Sequence, residues 1–105
     1  MPSSFSTSPS AQSTRGVDVE ATSVSARFLV QGPTDPSLLP RLIEPFAKLG
    51  TVPSRVHASR ESGDGTLMTV DLRLGDVAPR VAELVELSLR RVIGVSQLIA
   101  VIEPV

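Results

Sequence analysis

From Val24 to Gln31 apolar and polar side chains alternate. Val24, Ala26, Phe28 and Val30 fall on one side, Ser25, Arg27, Leu29 and Gln31 on the other. A period of two predicts a strand with one face on a core. After Gly32-Pro33-Thr34 the period changes. Leu39, Leu42, Ile43, Phe46 and Leu49 recur at intervals of three and four, the stripe of a helix. Thr34 or Asp35 is placed to cap it, Pro36 suits its first position, and Gly50 its end. Pro40 lies near the start, where it is tolerated. Pro45 is expected to bend the helix or leave the carbonyl of Arg41 to water.

The second half repeats the plan without repeating the residues. Val52 to Arg60 predicts a strand with Val52, Ser54, Val56 and Ala58 on one face, and Pro53 suggests that it starts at a sheet edge. Glu61 to Gly65 reads as a hairpin loop. In Thr66 to Leu74, Met68, Val70, Leu72 and Leu74 face the core, because slippage by one residue would bury Asp71 and Arg73. Gly75 is expected to break this strand and Asp76 to cap a second helix. Its stripe is Val81, Leu84, Val85 and Val92 with Ser88 among them; Leu87 and Leu89 widen it, and Gly94 ends it. Val95 to Ile102 is almost entirely apolar, which predicts burial on both faces. The order βαββαβ gives an α+β, ferredoxin-like fold: a four-stranded antiparallel sheet with two helices on one face. Residues 1–21 are expected to be a disordered Ser/Thr-rich tail, and residues 22–105 the domain.

Composition narrows the function. A chain of 105 residues holds one domain, and a formal net charge of −1 with pI ≈ 5.7 offers no electrostatic attraction to nucleic acid or an anionic membrane. No apolar run approaches the ~20 residues that span a bilayer. The N-terminus lacks the basic start and apolar stretch of a secretory signal. Without cysteine there is no disulfide, thiolate metal site or thiol nucleophile, which fits a reducing cytoplasm. The three phenylalanines lie in the tail, on the core face and on the helix stripe, so none can stack bases on the open sheet. Proteins of this plan that carry soft metals use paired cysteines. Val30-Gln31-Gly32 superficially resembles the start of the acylphosphatase phosphate loop. The arginine and asparagine of that family have no counterpart, since no arginine falls between Arg27 and Arg41 and asparagine is absent. His57 reads as an outward strand residue, and Arg55, Arg60, Arg73 and Asp71 as a solvated face or the rim of an interface. No triad, phosphate loop or metal cage is present, so neither catalysis nor a cofactor is expected.

One stretch carries a resemblance. Thr34-Asp35-Pro36-Ser37-Leu38-Leu39, running into LPRLIEPFAKLG, resembles the first loop and helix of the ACT domain family, and Arg91-Val92-Ile93-Gly94-Val95 resembles that family's last turn. Among members the chain is most similar to the short, free-standing regulatory subunits of acetolactate synthase. The resemblance implies a non-catalytic, cytoplasmic module that forms a homodimer, binds a small amino acid and modulates a larger biosynthetic enzyme. It implies a ligand site at Gly32, Thr34, Asp35, Pro36, Ser37 and Leu38, completed by Val52 and Pro53 of a neighbouring subunit. Three places depart from the family, one of them Val52-Pro53, where the acetolactate synthase subunits carry an amide residue. Thr34 stands where an Asp or Asn usually grips the amino group, and Ser37 where glycine lets the carboxylate reach backbone N–H groups. Asp35 could supply the missing charge from one residue away. The alternative is a structural interaction or dimerisation domain with a degenerate pocket. The apolar surplus at Leu29, Leu67 and the last strand favours self-association or docking on a larger protein.

Overall fold

The computed structural model describes residues 22–62 and 64–105. The tail expected over 1–21 and Gly63 of the hairpin loop lie outside them. The elements are β1 (Val24–Pro33), α1 (Leu38–Lys48), β2 (Arg55–Ser62), β3 (Leu67–Val77), α2 (Pro79–Arg90) and β4 (Gln97–Pro104). They form the ferredoxin-like plan. The sheet is antiparallel throughout, in the order β2-β3-β1-β4.

The core lies between this sheet and the two helices. Val24, Ala26, Phe28 and Val30 of β1 and Met68, Val70, Leu72 and Leu74 of β3 point into it, the faces that the alternation predicts. These central strands are paired on both sides, and their inward residues meet Leu38, Leu42 and Phe46 of α1 and Ala82, Val85 and Leu89 of α2.

The helices sit rotated from the expected stripes. In α1 Leu38 is buried and Leu39 only partly so; in α2 Ala82 and Leu89 are buried, whereas Val81, Leu84 and Val92 lie at the flanks and Leu87 is exposed. A stripe broader than the contact leaves the rotation open, and the fit to the sheet decides it. The helix α1 continues through Pro45, which is buried and gives no N–H to the Arg41 carbonyl.

Three strand boundaries also differ. Val52 to Ser54 precede β2 rather than belonging to it. β3 runs through Gly75 and Asp76 to Val77, because β1 and β3 pair Ala26 with Leu74 and then Val24 with Val77. The extra residue makes a β-bulge in which Asp76 has φ 60°, so Asp76 shapes the bulge and does not cap α2, whose N-cap is Ala78. β4 is not buried on both faces. It is an edge strand, with Leu98, Ala100 and Ile102 against the core and Ile99 (51 %) and Val101 (45 %) exposed on the open face.

Candidate functional site

The turn between β1 and α1 is held from three sides. The Thr34 N–H donates to the Thr66 carbonyl at 2.9 Å, and its hydroxyl donates to the Gly65 carbonyl at 2.6 Å. Both partners belong to the β2–β3 hairpin, so the loop is fastened to a distant part of the chain. Asp35 closes the next step. Its Oδ1 accepts the Ser37 N–H at 2.9 Å and the Ser37 hydroxyl at 3.0 Å. The Leu38 N–H donates to the Asp35 carbonyl at 3.0 Å, completing a single turn before α1. Asp35 thus closes this turn rather than capping α1, whose N-cap is Ser37 with no side-chain cap hydrogen bond, and Pro36 sits exposed in the turn ahead of the helix. The Ser37 backbone N–H, and then its hydroxyl, hold the Asp35 carboxyl below its usual pKa.

Gly32 lies beneath the turn. A Cβ there would stand 2.6 Å from the Gly94 carbonyl oxygen and 2.9 Å from Leu38 Cδ2. The glycine lets β1 touch the α2–β4 turn, where Gly94 has φ +105°. Ser96 fastens the same turn, its N–H and hydroxyl both donating to the Gln31 carbonyl at 2.8 and 2.9 Å. Gly32 and Leu38 are therefore packed under the site rather than open to it.

Val52 and Pro53 are elsewhere. The N–H of Ser54 donates to the Arg73 carbonyl at 2.7 Å, and Arg73 pairs with Arg27 near the start of β1. The loop follows Pro33, six positions further on, which at 3.3 Å per residue is about 20 Å away. One chain therefore brings Thr34, Asp35, Pro36, Ser37 and Leu38 together, with Gly32 below, and leaves Val52 and Pro53 at the opposite end of the sheet. Val52 is 83 % exposed.

The open face of the sheet carries a second cluster that alternation alone did not single out. Arg55, Arg73 and Arg27 stand directly opposite one another across β2, β3 and β1. Asp71 lies one step along β3, its side chain only 13 % exposed. It accepts two hydrogen bonds from Arg73, at 3.3 and 3.0 Å, and its Oδ1 is 4.0 Å from Arg27 Nε. The Arg73 hydrogen bonds hold its pKa below the usual range against the opposing effect of burial, helped by the charges of Arg73, Arg27 and Arg55. Each arginine was visible as an outward residue, but their alignment depends on the strand order. Among the described residues, no three His, Cys, Asp or Glu side chains gather as metal ligands, and no helix is long and apolar enough to cross a membrane.

A four-stranded antiparallel sheet backed by two helices, with a tethered strand-to-helix turn at one end, defines an α+β domain of ferredoxin-like plan. The particular family follows from comparison: residues 19–102 match the ACT-like domain family, and the chain belongs to it. Such domains are regulatory, ligand-binding modules. Two solved structures share the fold. The ACT domain from GTP pyrophosphokinase of Chlorobium tepidum is 16 % identical with a TM-score of 0.61, over 76 % of this chain and 100 % of that one. The regulatory subunit of aspartate kinase from Thermus flavus is 15 % identical with a TM-score of 0.51, over 79 % of this chain and 52 % of that one. The chain thus spans about half of that subunit, and at these identities the likeness is one of fold. A comparison with curated proteins finds no match.

Proposed function

We propose that this chain is a non-catalytic, cytoplasmic regulatory module that forms a homodimer, takes a small amino acid at the seam, and modulates a larger biosynthetic enzyme of the acetolactate synthase type. The observation that carries this reading is the separation of the two half-sites. The Thr34–Leu38 turn and the Val52-Pro53 segment lie at opposite ends of one sheet, so only a second copy can bring them together. The exposed Val52 and Val56, and Ala58 beside them, line the β2 edge where that copy would sit.

Thermal unfolding against the twenty amino acids, with sedimentation to give the oligomeric state, tests the reading. A ligand at 100 times its dissociation constant adds about 2.7 kcal/mol. In a domain of this size that raises Tm on the order of ten degrees. A shift with one chemical class of amino acid, abolished by Asp35→Ala, is the expected result. A folded chain that stays monomeric and answers to none of them overturns it.

A second reading has an observation of its own. The Thr34 hydroxyl donates to Gly65, Oδ1 of Asp35 accepts twice from Ser37, and the N–H groups of Ser37 and Leu38 are both bonded within the turn. A loop that satisfies itself in this way suits an assembly domain whose pocket is degenerate. That reading expects a dimer with no amino-acid response.

A further inference from the structure

The sheet ends in two edges, β2 and β4. An edge strand leaves N–H and C=O groups unpaired, and folded chains guard it with charge, proline or a bulge, because it otherwise pairs with another chain. β4 has no such guard along most of its length. From Gln97 to Ile102 it carries neither a charge nor a proline, and its open face exposes Ile99 and Val101.

The pairing with β1 shows which backbone groups are turned outward. The Val105 N–H donates to the Ser23 carbonyl at 3.0 Å, one step beyond the pair of Val24 with Pro104. In an antiparallel ladder, residues that exchange hydrogen bonds with the neighbour alternate with residues that do not. Glu103, Val101, Ile99 and Gln97 therefore bond to β1, and Ile102, Ala100 and Leu98 turn their N–H and C=O groups to the free edge. Pro104 falls in the outward set, so its missing N–H takes nothing from the ladder to β1.

A second copy of β4 fits that edge. A two-fold axis beside Ala100 sets Ala100 opposite itself and Leu98 opposite Ile102, so all three outward residues exchange hydrogen bonds across the axis. On the open face Ile99 then meets Val101, and the Gln97 amide meets the Glu103 carboxylate as a donor to an acceptor. The neighbouring registers fail. With the axis at Val101, Leu98 faces Pro104, which has no N–H to give. With the axis at Ile99, Ile102 faces Ser96, whose N–H is already given to the Gln31 carbonyl at 2.8 Å. A slip of one residue sets outward groups against inward ones and puts every side chain opposite the wrong face.

We propose that β4 pairs with β4 of a second copy about a two-fold axis beside Ala100, joining the two sheets edge to edge. This seam is separate from the β2 edge and from the β1–α1 turn, so its test does not depend on amino-acid binding there. With both seams in use the chain assembles beyond a dimer.

The full chain carrying Val56→Lys, which places a charge on the β2 edge, isolates the β4 seam. Sedimentation equilibrium should still find a dimer, and amide hydrogen exchange at Leu98, Ala100 and Ile102 should slow as concentration rises through the association range. Gln97→Glu in this background sets carboxylates opposite one another on both sides of the axis and should weaken association about ten-fold. Adding Glu103→Lys makes each an opposite-charge pair and should restore association, a rescue that a damaged fold would not allow. A monomer at every concentration, an association constant that Gln97→Glu leaves unchanged, or a loss that Glu103→Lys does not repair overturns the proposal. The same exchange measurement on the parent chain covers the case in which Val56→Lys disturbs the fold: there too, exchange at these three amides that is independent of concentration overturns it.

Discussion

Gly32 shows how much one residue can govern. It has no side chain, yet two elements meet through it: the Gly94 carbonyl and Leu38 occupy the space that a Cβ would need. A backbone carbonyl at 2.6 Å cannot swing aside as a flexible side chain would. Gly32→Ala should therefore destabilise the chain by about 1–3 kcal/mol, the usual penalty of overpacking. A urea melt should show a lower midpoint with an unchanged slope. Asp76 is the opposite case. It occupies a left-handed conformation that glycine adopts freely and that Asp tolerates better than most residues. From its position ahead of an apolar stripe it looked like a cap. The bulge it forms exists because β1 and β3 differ by one residue in length there. Nothing in the local sequence counts residues on the partner strand, so this role was not legible.

At the scale of elements, the inward faces of the central strands and the edge place of β2 were read correctly, whereas the end of β3 and the burial of β4 were not. β1 and β3 are paired on both sides and half-covered by helices, so their alternation matches their burial. β4 has one neighbour and one covered face, and its unbroken apolar run overstated its burial. The β1–β3 ladder also carries a pH dependence. Asp71 has a lowered pKa in the folded chain, so its contribution is complete above the unfolded value of about 3.9 and is lost as pH falls through the folded value. Asp71→Asn should cost about 1 kcal/mol or more at neutral pH, since it removes an acceptor from Arg73 and a counter-ion from the arginine row. Denaturation followed from pH 7 to pH 2 should show a flatter acid limb in the variant than in the parent chain. An equally steep limb in both would mean that Asp71 is not the group that titrates.

The whole molecule presents surfaces that it does not cover itself. The β2 edge leaves Val56 exposed beside Val52, and a homodimer through this edge would bury both. Val56→Lys should leave the fold intact, because the residue is exposed in the single chain. It should weaken self-association by roughly ten-fold, read by sedimentation equilibrium. An unchanged association constant would move the seam to β4, where Ile99 and Val101 are uncovered.

By itself, the sequence determined the order of elements, the inward faces of the central strands and the loop-to-helix frame of the family. These depend on periodicity, proline and glycine placement, and residues close in the chain. Only the tertiary structure decided the rotation of the helices, the bulge at Asp76, the tethering of Thr34 to Gly65 and Thr66, and the alignment of three arginines. Each of these depends on which strand lies beside which and in what register. That is set by the packing of the whole core, and a one-residue change in pairing would alter all of them while leaving the local pattern untouched.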